Sequence, residues 1–249
     1  MTQLSYEKYK LSFIEYFAYG LLYIAILFII SYLFYDSLIP ALTLFPLITI
    51  YYRCIKKYLC NRRKHQLLLQ FRDMINAISV SLNSGYSIEN SIRESLNEMK
   101  ILYGDTSYIH YEIEMMVKKL TLHIPIEKIF SDFASRSACS DIQMFAQILV
   151  IAKRNGGDLI SIIKSSSDTI SEKIDIEREI ATSIASKQFE QRIMFIMPLA
   201  IMSYIKFSSA GFFDSVYHNP TGIFLMSVCL IIYILAVILG LKLSTITIS

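Results

Sequence analysis

Charged side chains are scarce in this 249-residue chain, where they make up 18% of the residues and 24 Lys and Arg stand against 21 Asp and Glu. A net charge of +3 is too small and too scattered to indicate a nucleic-acid partner, because binding a phosphate backbone needs a concentrated basic face. Hydrophobic residues, by contrast, reach 54%. That share is high for a soluble domain and ordinary for a protein that lies partly in lipid.

Cysteine and histidine are also few, with four of each. No two cysteines have the close spacing of a zinc site, and no two histidines are three or four residues apart, the spacing that places two ligands on one helix face. We therefore predict unpaired, reduced thiols, no metal site and no bound cofactor. The residues concerned are Cys54, Cys60, Cys139, Cys229, His65, His110, His123 and His218.

Motifs that carry chemistry are absent as well. The chain has no G-x-x-x-x-G-K-[ST] phosphate loop, no G-x-S-x-G elbow, no H-E-x-x-H helix and no G-x-G-x-x-G turn. It is therefore predicted not to be an enzyme, with no catalytic or cofactor-binding residue. One acidic stretch, 172–179, also carries Lys173 and Arg178, so we interpret it as solvated ion pairs on an exposed interaction surface.

Four uncharged or nearly uncharged runs are candidates for membrane spans: 17–35, 37–52, 193–213 and 223–241. The first nearly matches a hydrocarbon core about 30 Å thick and exceeds the apolar region of a signal peptide, the competing interpretation. The second contains Pro40 and Pro46 and is either a tilted span or a re-entrant segment. The third contains Pro198 and a single charge, Lys206, which we expect to snorkel towards the headgroups.

The distribution of basic residues predicts the orientation. Six Lys and Arg and no acid occur in 53–64, the kind of cluster that stays on the cytoplasmic side; binding of anionic lipid or acidic partners is the alternative interpretation. The predicted outer loops carry Asp36 and Asp214 and no Lys or Arg. Both termini and the middle segment are therefore predicted to be cytoplasmic.

Apolar residues in the middle segment repeat at intervals of three and four, which predicts six helices. Their predicted core faces are Leu68, Phe71, Ile75, Ile78 and Leu82; Ile88, Ile92, Leu96 and Met99; Ile109, Ile113, Met116 and Leu120; Ile126, Ile129, Phe130 and Phe133; Ile142, Phe145, Leu149 and Ala152; and Ile160, Ile163, Ile170, Ile174, Ile180 and Ile184.

Glycine, proline and capping residues predict where these helices begin and end. Gly85 ends the first helix and Ser87 caps the second, Pro125 suits the first turn of the fourth, and Asp141 opens the fifth. The fifth ends at Asn155-Gly156-Gly157, and Asp158 caps the sixth, which runs without Gly or Pro until Pro198.

The predicted fold is thus an all-α membrane protein, in which two transmembrane helical hairpins flank a cytoplasmic six-helix bundle. Its predicted segments are a cytoplasmic N-terminal segment (1–16), the first hairpin (17–52), the helical-bundle domain (53–192), the second hairpin (193–241) and a cytoplasmic tail (242–249).

Several fragments, in order, resemble the type II secretion F family, and within it the tight-adherence B and C branch. They are Phe71-Arg72-Asp73, 82–92 around Gly85, 124–127 around Pro125, 132–137 with Asp132, Phe133 and Arg136, 141–146 from Asp141, 152–159 with Gly156, Gly157, Asp158 and Leu159, and 190–198 from Glu190 to Pro198. His123 stands where many members have a small residue.

The resemblance implies a mechanical role as an inner-membrane platform for pilus or secretion machines. In that role a cytoplasmic hexameric ATPase would act on the platform, and the membrane helices of the platform would guide pilin-like subunits. Only one copy of the cytoplasmic block is present, which implies a second platform subunit or self-association. A channel or transporter and a membrane-anchored signalling adaptor are the alternative functions.

Overall fold

The structure is a computed structural model that describes residues 6, 11–37, 46, 48–154, 158–209, 211–217 and 219–246. All regular structure in these ranges is helical and none is strand, as the sequence predicts. The helices are α1 (Phe13–Tyr35), α2 (Ile48–Asn83), α3 (Ile88–Tyr103), α4 (Tyr108–Thr121), α5 (Ile126–Ser137), α6 (Ser140–Arg154), α7 (Leu159–Ser208), α8 (Asp214–Tyr217) and α9 (Pro220–Ile246).

The chain forms two compact units. The first comprises 1–10 and 55–176, and the second comprises 11–54 and 177–249. Both α2 and α7 contribute residues to each unit. The predicted segment boundaries at 16, 52, 192 and 241 concern the membrane, and they remain a prediction.

The first unit is built around one apolar core. Phe71 of α2 lies between Phe133 and Phe145, with ring centroids 5.9 and 5.4 Å away, and all three rings are buried. Helix α3 packs on α4, α4 on α5 and α5 on α6. Most of the predicted core faces lie in this core. Helices α2 to α6 therefore each pack the apolar stripe that their spacing predicts into this core.

For α7, the predicted core face is wrong at two positions. Ile160 is 41% exposed and Ile180 is 39% exposed, whereas Ile163, Ile170 and Ile174 are buried. The three-and-four spacing identifies one face of a helix, but it does not determine how far neighbouring helices cover that face.

The predicted ends of the helices in this unit are confirmed where the structure describes them. Gly85 has φ +89° directly after α2, a conformation that favours glycine because other residues place a Cβ there. The Ser87 hydroxyl accepts a hydrogen bond from the amide of Asn90 at 3.3 Å and so caps α3. Pro125 directly precedes α5, and Asp141 lies in the first turn of α6.

In the second unit, two helices are long and apolar enough to cross a membrane: Phe13–Tyr35 and Pro220–Lys242, each of 23 residues. They coincide with the first and fourth predicted spans. The second predicted span, 37–52, lies mostly outside the described residues. The third lies in α7, which ends at Ser208 rather than at 213 and does not meet the same criterion of length and hydropathy, so these two spans remain predictions.

Contacts within the second unit give the relative directions of its helices. Tyr233 of α9 donates a hydrogen bond to the carbonyl of Phe195 at 2.6 Å, and a Cβ on Gly240 would lie 2.3 Å from the Gln191 side chain. The later residue of α9, Gly240, thus contacts the earlier residue of α7, Gln191. The two helices therefore run antiparallel here. Tyr52 of α2 stacks on Tyr16, near the start of α1, with ring centroids 4.3 Å apart.

Candidate functional site

The most enclosed polar site of the first unit is an ion pair between α4 and α5. Glu112 is fully buried, and the Arg136 guanidinium holds it through two parallel hydrogen bonds, Nη1 to Oε1 at 2.8 Å and Nη2 to Oε2 at 2.6 Å. Removing a carboxylate from water is costly unless a partner and hydrogen bonds compensate for the lost hydration. The paired geometry of arginine with carboxylate supplies both.

Asp132 extends this pair towards the surface. It accepts a hydrogen bond from Arg136 Nε at 3.2 Å, one turn along α5, and another from Lys119 of α4. Burial alone would raise the pKa of the Asp132 carboxyl, but the Lys119 hydrogen bond and the Arg136 charge outweigh burial and lower the pKa. The two predicted motif residues Asp132 and Arg136 therefore belong to one charge network joining α4 to α5.

Tyr6 completes the network from the N-terminal segment. Its hydroxyl donates to Glu112 Oε1 at 3.0 Å and its amide donates to the Arg136 carbonyl at 3.0 Å. The fully buried ring meets Tyr108 edge-on at 5.9 Å, and the Arg63 guanidinium lies 4.7 Å from its centroid. Burial first, and then the Glu112 charge, raise the pKa of the Tyr6 phenol, so it remains a donor.

Sequence reasoning missed Glu112 and Tyr6. Glu112 lies directly beside the apolar stripe of α4, where a lone carboxylate resembles any solvated helix residue, and Tyr6 belongs to no periodic pattern. A usable signal was Arg136, a charged residue near the predicted core face of α5, which requires an acidic partner somewhere in the fold.

A groove opens on the surface between α5 and α6, next to this network. Its volume is about 620 Å³. Lys153 donates to Glu127 across it at 2.7 Å, and although burial opposes the change, this hydrogen bond lowers the pKa of the Glu127 carboxyl. The lining residues are Glu127, Lys128, Ser131, Asp132, Ser135, Val150, Lys153 and Arg154.

The other predicted motif residues do not gather at this groove. Phe133 is buried in the apolar core. Asp141 forms an ion pair with Lys173, with Nζ and Oδ1 2.6 Å apart. Leu159 is the first residue of α7, whereas Glu190 and Pro198 lie in the part of α7 that belongs to the second unit. Gly156 and Gly157 lie outside the described residues. The described motif residues are therefore distributed over several helices and do not form one site.

Side chains that could bind a metal do not converge in the described part of the chain. Within those ranges, no three His, Cys, Asp or Glu side chains lie close enough together to hold a metal ion. Burial raises the pKa of the Cys139 thiol to about 11, so this group is protonated and unreactive at neutral pH. In the acidic stretch of α7, Glu172, Asp175 and Glu179 are exposed.

A second charged cluster lies in the second unit. The Lys206 ammonium donates to Asp36 Oδ1 and to the Tyr32 carbonyl, both at 2.6 Å, and lies 3.5 Å from the centre of the Tyr32 ring. Its side chain is 13% exposed. The predicted snorkelling of Lys206 remains untested, but its charge already has partners within the protein, and Asp36 is one of the residues predicted for the outer loop.

In the described ranges the protein is all-helical, with two helices long and apolar enough to cross a membrane and a helical unit that buries the Glu112–Arg136 ion pair. A sequence model of the family described as "Type II secretion system (T2SS), protein F" matches residues 74–205, which is more than half of the chain. The chain therefore belongs to the type II secretion system F family. No curated protein matches it, and no solved structure does either.

Proposed function

We propose that this protein is a non-enzymatic platform in the inner membrane, of the tight-adherence pilus type or of a type II secretion machine. In this role it couples a cytoplasmic hexameric secretion ATPase to the assembly of pilin-like subunits. The observation that carries the proposal is the family match, which runs from Met74 in α2 to Ile205 in α7.

The first unit supports a mechanical rather than a chemical role. Its carboxylates at Glu112, Asp132 and Glu127 are each tied to a cation of a neighbouring helix, which stiffens the contacts of α4, α5 and α6. Charges arranged in this way have partners within the protein, which favours a structural use of these side chains. A first unit stiffened in this way could transmit force from the ATPase without deforming.

The second unit supports a place in the bilayer. Its apolar helices α1 and α9, with the antiparallel contact of α9 on α7, suit the predicted four-span arrangement with both termini and the first unit in the cytoplasm. In this proposal the lipid bilayer, the ATPase, pilin-like subunits and a second platform subunit or a second copy are the partners, and nucleic acid is not one.

The pairing of Lys206 disfavours a channel. A transport pathway would place an ionisable group where an ion or substrate can reach it. Here Lys206, the single charge in the predicted third span, already binds Asp36 and the Tyr32 carbonyl. The signalling adaptor has no feature of its own in the structure that favours it.

Co-purification tests the proposal. The full chain in detergent should retain a secretion ATPase of the same organism that is co-expressed with it, and the purified chain alone should neither bind nor hydrolyse ATP. Ion flux through proteoliposomes carrying only this chain, together with no retention of that ATPase, would show that the platform proposal is wrong.

A further inference from the structure

The groove between α5 and α6 continues beyond its charged end. A second depression of about 570 Å³ shares Ser131, Ser135 and Val150 with the first, and together they follow α6 from Gln143 to Arg154. At 1.5 Å per residue this length is about 17 Å, or roughly three turns of a helix. The combined groove has the dimensions of a docked helix.

One end of the groove carries excess positive charge. Its carboxylates, Glu127 and Asp132, are already held by Lys153 and by Lys119 with Arg136. Lys128 and Arg154 are both exposed, and neither forms an ion pair with a carboxylate in the described part of the chain. Two cations therefore remain to attract acidic side chains.

The other end of the groove is less polar. Ala134 and Ala146 form its floor with small side chains, and Ile151 is 58% exposed at its edge. Gln143 and Gln147 can donate and accept hydrogen bonds there. A groove with an apolar end and a cationic end matches a helix that lays an apolar stripe in the groove and carries acidic residues near one terminus.

We propose that the α5–α6 groove docks an acidic amphipathic helix of a protein partner, with Lys128 and Arg154 binding its carboxylates. The groove is recessed between two helices and its far half is lined by Ala134, Ala146 and Ile151, which suits the apolar stripe of a helix and offers no match to a surface made of phosphate groups. The proposal goes beyond the platform function, because it depends on the groove itself and not on which machine the protein serves.

A charge exchange tests this docking. The full chain is placed in nanodiscs of neutral phosphatidylcholine, and fluorescence anisotropy measures binding of two labelled helical peptides of about 16 residues. Both peptides carry the same apolar stripe, and one ends in Glu residues where its twin ends in Lys. The wild-type protein should prefer the Glu peptide by at least about fivefold, and salt should weaken binding.

The double variant Lys128→Glu with Arg154→Glu should reverse that preference. The matched control is Arg93→Glu with Lys164→Glu, which makes the same charge change at exposed positions outside the groove and should keep the wild-type preference. If the reversed variant fails to fold, Lys128→Gln with Arg154→Gln should instead abolish the preference.

Three results would overturn the proposal. The first is equal or absent binding of the two peptides by the wild-type protein, and the second is an equal effect of the groove and control variants. The third is that the groove variants change binding to phosphatidylglycerol vesicles but leave peptide binding unchanged, which would assign these cations to a membrane surface.

Discussion

At the scale of single residues, the first unit depends on a charge that it buries completely. Glu112 is 0% exposed, and Tyr6 and Arg136 both donate hydrogen bonds to it. A buried charge without a partner would lower the stability of the fold by several kcal/mol. Each member of the pair therefore requires the other. We therefore interpret the motif residue Arg136 as structural.

Glu112→Ala should lower the free energy of unfolding by about 3 kcal/mol or more, because it leaves Arg136 buried without its main partner. Combining Glu112→Leu with Arg136→Met should cost less, since no unpaired charge remains there. Denaturant unfolding of the full chain in detergent, followed by circular dichroism, measures both. Glu114→Ala is the control, because the exposed pair that Glu114 forms with Lys118 on the same helix contributes under about 1 kcal/mol. Equal losses at the two positions would contradict this account.

Asp132 should make the stability of the first unit depend on acid. Its carboxyl has a lower pKa in the folded chain than in the unfolded chain, so the unfolded state takes up a proton first as the pH falls. Its contribution is complete above about pH 4 and is lost as the pH falls through the folded pKa. Asp132→Asn should flatten part of this dependence in melting curves recorded from neutral to acid pH. An unchanged pH profile in the variant would show that the network does not hold Asp132 in its charged form.

His123 adopts a left-handed backbone conformation, with φ +56°, just after α4. That conformation costs a residue with a Cβ roughly 1 kcal/mol, and glycine avoids this cost. His123→Gly should therefore raise the melting temperature of the full chain slightly. Leu122→Gly, one residue earlier at φ −88°, should lower it. A fall with His123→Gly would mean that the imidazole makes a stabilising contact.

At the scale of elements, the helix ends are set by local hydrogen bonds that the sequence predicts. Asp158 lies directly before α7, and its Oδ1 accepts a hydrogen bond from the amide of Ile160 at 3.0 Å. This carboxylate satisfies one of the free N–H groups that begin a helix. The glycines that precede it, Gly156 and Gly157, fall outside the described residues, so their predicted role as a helix stop remains a prediction.

In the proposed platform, Asp158→Ala should cost about 1 kcal/mol and weaken filament assembly together with stability, because α7 loses its cap. Asp158→Asn, which keeps a side-chain oxygen, should retain most of both. Thermal melting and a filament count on cells measure the two effects. Assembly lost at unchanged stability would instead show that Asp158 contacts a partner such as the motor.

At the scale of the whole molecule, the predicted membrane topology places the two charged partners of the second unit on the same side. Lys206 lies near the end of α7 and Asp36 directly follows α1, and their side chains are 2.6 Å apart. A four-span chain with cytoplasmic termini brings both positions to the outer face, where water can reach the pair. Their contact supports this topology over one in which the first and third spans run in opposite directions.

Reporter fusions test that topology. Fusions at Ser37 and His218 should be external, and fusions at Lys100 and at the C-terminus should be cytoplasmic, since the basic cluster at 53–64 stays inside. Activity of a phosphatase that works only outside the cytoplasm, paired with a reporter that works only inside, gives each position two independent measurements. A cytoplasmic result at Ser37 would rule out the four-span arrangement.

The sequence by itself determined what depends on neighbours within a few residues. Helical spacing predicted the buried faces of α2 to α6, Ser87 and Asp158 predicted helix starts, and uninterrupted apolar length predicted the two candidate spans. Each of these follows from the 3.6-residue period, from capping or from hydrocarbon thickness, which act along a single segment.

Only the tertiary structure decided which distant residues meet. Arg136 and Glu112 are 24 residues apart, Tyr6 and Glu112 are 106 apart, and Lys206 and Asp36 are 170 apart. No local period links such positions, because their contact depends on how whole helices pack. The same packing left Ile160 exposed on a predicted core face and opened the groove between α5 and α6. The pairing of charges and the shape of the surface are therefore products of helix packing, which local periodicity does not determine.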